Sequence, residues 1–103
     1  MESYDVSRSI RLAVDSGKVL LGAQESRKVA LSGKARLIIV SGNCPDNYKQ
    51  DVEHYAKLAS IELMRFPGTS VELGTACGKP FPVSMMTVLE AGNSDILEIA
   101  RRK

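Results

Sequence analysis

The sequence has few of the residues that build metal centres, disulfides and catalytic sites. Its 103 residues include two cysteines, one histidine and no tryptophan. Cys44 and Cys77 stand too far apart for the paired spacing of zinc ligands, and one histidine cannot complete such a ligand set. We therefore expect no metal, no cofactor and two reduced thiols, as in a cytosolic protein.

Long apolar runs are absent as well. No segment approaches the roughly 20 apolar residues that a membrane-spanning helix needs. The first residues, Met1–Asp5, are polar and acidic, which is unlike a secretory signal. We therefore expect a cytoplasmic location and no membrane partner.

Catalytic motifs are missing too, which favours a binding protein over an enzyme. Neither a P-loop nor Gly-x-Gly-x-x-Gly nor Gly-x-Ser-x-Gly occurs in the chain. A nucleophile needs an adjacent base, and the one histidine, His54, stands inside a predicted helix between Glu53 and Tyr55. That position favours a solvated or partly packed side chain. A small-molecule enzyme using Cys44 or His54 is the alternative hypothesis.

Charge is nearly balanced in total but uneven along the chain. The 14 basic and 12 acidic residues leave a net charge of +2. Between positions 18 and 36 one acid, Glu25, stands among five bases: Lys18, Arg27, Lys28, Lys34 and Arg36. The chain also ends in Arg101-Arg102-Lys103. Side chains of this kind on one face would attract phosphate; the alternative is a chance cluster on the surface.

The spacing of apolar residues predicts helices and strands in strict alternation within one domain, residues 1–103. The predicted strands are Lys18–Leu21, Leu37–Val40, Ile61–Phe66 and Val83–Leu89. The first helix carries Val6, Ile10, Ala13 and Val14 and ends at Gly17. The second runs from Ala23 to Ser32 and ends at Gly33. The third carries a stripe of Val52, Tyr55, Ala56 and Ala59. The fourth runs from Thr69, in a capping box with Glu72, to Cys77. The last runs from Asn93 or Ser94 to Arg101.

This order predicts an α/β fold, a three-layer α/β/α sandwich with a mixed four-stranded sheet. In open α/β sheets, ligands bind in the loops that follow strand ends. We therefore expect function in four segments of the chain: Gly22–Ser26, Ser41–Asp46, Pro67–Ser70 and Gly78–Ser84.

The Gly22–Ser26 turn has the chemistry of a phosphate site. Glycine allows a partner to approach the backbone closely, and the helix that follows should offer the free N–H groups of residues 23–26 to an anion. Gln24 and Glu25 could read the edges of paired bases, and Arg27 and Lys28 add positive charge. The alternative is that Glu25 only complements the helix dipole.

The Gly78–Ser84 segment holds Phe81 between Pro80 and Pro82, which stiffen the loop. From the residues alone, packing of Phe81 in the core is the favoured interpretation. The alternative is a surface for an unstacked base, as in many sites that recognise bulged RNA.

Several of these segments together resemble the L-thirty-e ribosomal proteins of archaeal and eukaryotic large subunits. That family is part of the wider L-seven-Ae superfamily, whose members bind kink-turn RNA. The resemblance covers nearly the whole chain, and its most specific part is Glu72-Leu73-Gly74-Thr75 followed by Gly78-Lys79. The Glu90-Ala91-Gly92 turn adds to it.

The resemblance implies a non-enzymatic constituent of the large ribosomal subunit that binds kink-turn-like ribosomal RNA with steep salt dependence. It also implies neighbouring ribosomal proteins, possible binding to its own transcript, and a monomeric free protein. A non-ribosomal kink-turn RNA-binding protein of the same superfamily is the alternative. The implied RNA-binding residues are Gly22, Ala23, Gln24, Glu25, Ser26, Lys28, Asn43, Lys79, Phe81 and Val83, with an extruded base against Phe81 and Val83.

The chain departs from the family pattern at two places. The wider superfamily has Gly-x-Asn-Glu at the first turn, whereas Gln24 precedes Glu25 here. Eukaryotic relatives tend to carry a basic residue near the position of Tyr48, for which Lys49 is the nearest cation along this chain. We expect the contacts to bases and phosphates to differ at these positions.

Overall fold

The computed structural model describes residues 3–32 and 34–101, in which helices and strands alternate as predicted. The helices are α1 (Ser3–Ser16), α2 (Ala23–Ser32), α3 (Asp46–Ala59), α4 (Ser70–Ala76) and α5 (Ile96–Arg101). The strands are β1 (Lys18–Leu21), β2 (Leu37–Val40), β3 (Glu62–Arg65) and β4 (Met85–Glu90). The predicted end of α2 at Gly33 lies outside the described residues.

The strands form one mixed sheet in the order β1-β4-β2-β3. Strands β2 and β3 are parallel, whereas β4 is antiparallel to both of its neighbours, β1 and β2. The carboxyl ends of β1, β2 and β3 therefore meet the amino end of β4 at one end of the sheet. All four loops predicted to be functional lie at that end.

Helices cover both faces of the sheet, which confirms the three-layer prediction. Strand β2 shows why, because its four side chains are all buried but point alternately to opposite faces. Leu37 and Ile39 pack with α1, α4 and α5 in one core, whereas Ile38 and Val40 pack with α2 and α3 in the other. Within residues 3–32 and 34–101, no helix has the length and apolar character to cross a membrane.

Several predicted bounds differ from the structure by one to three residues, and the prediction for Ala59 differs as well. Ala59 was expected in the buried stripe of α3, but it is exposed as the last residue of the helix, next to Ser60, which has a left-handed conformation with φ of 58°. Strand β4 begins at Met85 rather than Val83, because the Val83 N–H donates to the carbonyl of Ser70 (2.9 Å) and not to a strand.

Helix α4 is short, and its amino end is fixed by the predicted capping box. The Glu72 N–H donates to Thr69 Oγ1 (3.3 Å), and the Thr69 N–H donates to Glu72 Oε1 (3.1 Å). Gly74 lies in the middle of this helix, where glycine is normally unfavourable. Its lack of a side chain is required by packing, because a Cβ atom there would overlap the carbonyl oxygen of Phe81. The loop that carries Phe81 therefore rests directly on the helix backbone.

Replacing Gly74 with alanine should destabilise the protein, although alanine is the better helix former by about 1 kcal/mol. Overpacking against the Phe81 carbonyl costs about 1–3 kcal/mol, so we expect a net loss in the free energy of unfolding. Urea denaturation measures the change, with Thr75→Ala on the same helix as the control, which should be close to neutral. An unchanged or more stable Gly74→Ala protein would contradict the packing argument.

Candidate nucleic-acid interface

Hydrogen bonds join the four loops at this end of the sheet into one surface. The Gly22 N–H donates to the carbonyl of Met85 (2.8 Å), and the Ser41 N–H donates to the carbonyl of Ser84 (2.9 Å). The start of β4 is therefore held between the loop after β1 and the loop after β2. The third connection is made by Gly42, whose N–H donates to the carbonyl of Gly68 (2.7 Å) after β3.

Asn43 connects the loop after β2 to helix α4 through its side chain. Its Oδ1 atom accepts the Ser70 N–H (2.7 Å) and the Ser41 hydroxyl (3.2 Å). The side chain is exposed, and its Nδ2 group donates to none of the described residues. The Asn43 side chain thus has a carbonyl that connects the loops and an Nδ2 group without a partner among the described residues. The roles of Ser41 and Ser70 were missed in the sequence because each acts through the Asn43 side chain.

The Gly22 turn has the backbone conformation that the sequence predicts. Gly22 has φ of +109°, a region that side chains disfavour, and a Cβ atom there would meet no other atom within 4 Å. The surface above this residue is therefore open to a partner. One expectation is wrong, because the Ser26 N–H is not free but donates to the carbonyl of Gly22 (3.1 Å). The N–H groups of residues 23–25 remain without a partner in the described part of the chain.

The side chains of the turn divide between the surface and the interior. Gln24, Glu25 and Lys28 are exposed, and Lys28 Nζ lies 3.8 Å from Glu25 Oε1, so part of this positive charge is neutralised. The Ser26 side chain is fully buried and offers no surface to a ligand. For Ala23 the structure describes the backbone and not the side chain.

In the Gly78–Ser84 loop, the Phe81 side chain is exposed and the Val83 side chain is buried. Phe81 is 50% exposed, so the interpretation of Phe81 as a core residue is wrong. Val83 is 1% exposed and packs in the core with α1 and α4, so its side chain has no surface for the base that it was expected to contact. Lys79 is exposed, and its N–H donates to the carbonyl of Gly74 (2.9 Å).

The basic residues between positions 18 and 36 do not form one face. Lys18 is the first residue of β1 and Arg36 directly precedes β2, so both lie at the opposite end of the sheet from Gly22. Arg27 is engaged by α3, where its Nη1 atom lies 3.4 Å from Asp51 Oδ2 and its guanidinium carbon 5.3 Å from the centre of the Tyr48 ring. The cation beside Tyr48 is therefore Arg27 and not Lys49.

Other cations do lie at the Gly22 end. Arg65, at the carboxyl end of β3, is exposed and was not among the predicted site residues. Lys49 stands in the first turn of α3, near the same end. Lys28 and Lys79 lie at this end too, but so do Glu25, Asp46 and Glu72, so the four cations leave it with little net charge. Only the sheet topology could have grouped them, since they are scattered along the chain.

The geometry gives the enzyme hypothesis no support. Cys44 is buried, and this burial raises the pKa of its thiol, which lowers the thiolate fraction that a nucleophile needs. His54 is exposed on α3 and stacks at an angle on Tyr55, with ring centres 5.8 Å apart. Among the described residues there is no cluster of three or more potential metal-ligating side chains.

Comparison with protein families assigns the class. The model of the ribosomal protein L7Ae/L30e/S12e/Gadd45 family matches residues 5–98. The chain therefore belongs to this family, and the resemblance predicted from its motifs is confirmed.

Individual relatives of this chain include two proteins of the large ribosomal subunit. The chain is 44% identical to the large ribosomal subunit protein eL30 of Methanocaldococcus jannaschii, over 99% of this chain and 93% of the relative. It is 47% identical to the eL30 protein of Methanococcus vannielii, over 94% of this chain and 92% of the relative. Among solved structures, a protein of unknown function from Bacillus halodurans shares the fold, with a TM-score of 0.80, 24% identity and coverage of 99% of this chain and 100% of the other.

Two substitutions of Asn43 should distinguish the role of its carbonyl in stability from the role of its amide in binding. Asn43→Ala removes the acceptor for Ser70 and Ser41, and we expect the free energy of unfolding to fall by about 1–2 kcal/mol. Asn43→Asp keeps an acceptor oxygen and places negative charge beside the amino end of α4, which helix dipoles favour. Its stability should equal or exceed that of the wild type.

Urea denaturation of both variants tests this. The Asn43→Asp protein should be stable yet bind RNA more weakly, because it has lost the amide donors and repels phosphate. If Asn43→Ala is as stable as the wild type, the contacts to Ser70 and Ser41 do not hold the loops together.

Proposed function

We propose that this chain is a structural protein of the large ribosomal subunit that binds a kink-turn in ribosomal RNA and catalyses no reaction. The relatives at 44–47% identity are all named large ribosomal subunit protein eL30, and each is matched over more than nine-tenths of its length. This similarity supports the ribosomal assignment over a non-ribosomal member of the superfamily. A ribosomal protein of this kind would work in the cytoplasm, in contact with RNA and neighbouring ribosomal proteins.

The main observation in support of RNA binding is that three suitable groups lie at the same end of the sheet. These are the open backbone at Gly22, the outward amide of Asn43 and the exposed ring of Phe81. Backbone N–H groups suit phosphate oxygens, amides suit base edges, and an aromatic ring suits an unstacked base. A kinked RNA presents all three within a short distance, whereas a regular duplex keeps its bases stacked.

The remaining predicted residues take roles according to their exposure. Gln24 and Glu25 can reach base edges from the first turn of α2, and Lys28 and Lys79 can reach phosphates. Ser26 and Val83 contribute by shaping the turn and the loop from inside. Binding to its own transcript and a monomeric state in the absence of RNA are further parts of the proposal that await measurement.

Sedimentation of cell lysate tests the ribosomal assignment. The protein should travel with large subunits and remain with them after washing at moderate salt. Its presence only in small RNA-protein particles would support the non-ribosomal alternative. Crosslinking in the same lysate, followed by sequencing of the attached RNA, would identify the RNA segment that is bound.

Phe81→Ala should weaken binding to a kink-turn RNA by about 1–3 kcal/mol, the range for loss of one base stack. The ring is half exposed, so the fold should survive, and circular dichroism checks this. Leu58→Ala is the matched control, since Leu58 is 72% exposed near the far end of α3. Equal affinity of wild type and Phe81→Ala would contradict the proposed site.

The same titrations at several salt concentrations report how many phosphates are contacted. The four cations named at this end of the sheet set a steepest slope of about −2.8 to −3.6 in log affinity against log salt, one phosphate for each cation. A slope near zero would argue against phosphate binding by this surface.

A further inference from the structure

Strand β1 forms one edge of the sheet, and its outer side has no partner strand among residues 3–32 and 34–101. The Gly22 N–H donates to Met85 at the start of β4, which fixes the direction of the main-chain groups along the strand. These groups alternate between the two sides of a strand. Leu20 therefore directs its N–H and carbonyl toward β4, whereas Val19 and Leu21 direct theirs outward.

The neighbouring strand agrees with this alternation. Val88 of β4 stands opposite Val19, and its carbonyl accepts the Arg36 N–H (2.9 Å) on the side of β2. The main-chain groups of Val88 and Val19 thus point away from each other. Two N–H groups and two carbonyls, those of Val19 and Leu21, are left at the outer edge without a partner in the described part of the chain. Such an edge is suited to pairing with an extended segment.

A groove of about 460 Å³ runs along this edge. Its apolar lining comes from α1, β1 and β4, namely Val14, Val19, Leu20, Leu21 and Leu89. Each of these side chains is only partly buried. Because alternate side chains of a strand face the same side, an added strand would place every second side chain in this groove. Apolar contact would then accompany the main-chain hydrogen bonds.

A lysine stands at each end of the groove. Lys18 begins β1 at one end, and Lys79 lies at the other end, near Gly22. Both side chains are exposed, and neither forms an ion pair with a carboxylate of the described residues. The strand between them spans roughly 10–13 Å, which is three to four residues of an extended chain. A segment with one carboxylate near each end matches this charge.

Two other occupants fit the edge less well. A second copy of this chain, paired antiparallel through its own β1, would bring each Lys18 toward the Lys79 of the other copy, and like charges oppose such pairing. An RNA strand would bring its phosphates beside the outward carbonyls of Val19 and Leu21, which repel them. A carboxylate-bearing protein segment meets neither obstacle.

We propose that the outer edge of β1 pairs with an extended segment of another protein, which adds a fifth strand to the sheet. Main-chain bonds to Val19 and Leu21 give affinity, and a carboxylate at Lys18 and apolar side chains in the groove give specificity. The proposal rests on the proposed function, because neighbouring proteins of the large subunit supply the segment. Lys79 also belongs to the proposed RNA site, so the tests use Lys18.

Hydrogen exchange tests the added strand. The Val19 and Leu21 amides should exchange at least about tenfold more slowly in large ribosomal subunits than in the protein bound to a kink-turn RNA alone, because new hydrogen bonds protect them. The Leu20 amide is the internal control, since it faces β4 in both states and should change little. Equal exchange of Val19 and Leu21 in the two preparations would overturn the proposal.

Crosslinking of intact subunits with a carbodiimide identifies what covers the edge. This reagent joins a lysine amine to a carboxylate in contact with it, as an amide bond. Lys18 should be joined to an acidic residue of another protein, within a segment whose apolar residues alternate. Lys57, exposed on α3, is the control lysine. Attachment of Lys18 only to RNA, or to nothing, would overturn the proposal.

Lys18→Glu separates the proposal from the proposed function. Lys18 lies at the end of the sheet opposite Gly22, beyond the roughly 10 Å over which exposed charges act at moderate salt, so kink-turn affinity should stay within about twofold of the wild type. In subunits, however, this variant should lose the slow exchange of Val19 and Leu21, and the control Lys57→Glu should keep it.

The two failures differ. A wild-type protein that enters large subunits while its Val19 and Leu21 amides exchange freely would reject the added strand and leave the ribosomal assignment intact. A wild-type protein absent from large subunits would reject the ribosomal assignment, and with it the source of the segment.

Discussion

The antiparallel insertion of β4 between β1 and β2 is the constraint on which the rest of the site depends. Because β4 runs against both neighbours, its amino end meets their carboxyl ends, and the Phe81 loop lies beside Gly22 and Asn43. A parallel β4 would carry that loop to the other end of the sheet, roughly 15–20 Å away. The turn and the loop would then face different partners. Strand direction therefore decides whether the chain has one composite surface or two unrelated ones.

Helix α4 positions the Phe81 loop, and three consecutive residues of the helix each have a structural reason. Seven residues are too few for a helix that is stable alone. Glu72 closes the capping box, Leu73 is fully buried in the core, and Gly74 admits the Phe81 backbone. The motif that carried the family resemblance thus specifies how a helix and a loop fit together. It describes support for the site more than contact with a ligand.

The sequence predicted the elements well, and it predicted their surface less well, for reasons that differ between residues. The four apolar residues of β2 and the Thr69–Glu72 box are local signals, and the structure has both. Phe81 and Val83 could not be told apart, because a loop has no regular period that assigns alternate residues to opposite faces. The basic residues between positions 18 and 36 were grouped because they are close along the chain. In the structure, β1 and α2 distribute them between the two ends of the sheet. Ser41 and Ser70 stood in predicted loops, but their shared contact with Asn43 needed the structure, and Arg65 needed the topology to be noticed at all.

The distribution of charge bears on how the proposed RNA site would select its ligand. Arg27 contacts Asp51 and Tyr48, and Lys28 lies near Glu25, so both basic residues that follow the turn are partly neutralised within the protein. Phosphate contacts give affinity without selecting one RNA form over another. In the proposed complex, selection would then come from groups whose positions are fixed, such as the amide of Asn43 and the half-exposed ring of Phe81. A ring held open to water gives up burial that would stabilise the fold. Its exposure is understandable if a base covers it in the complex.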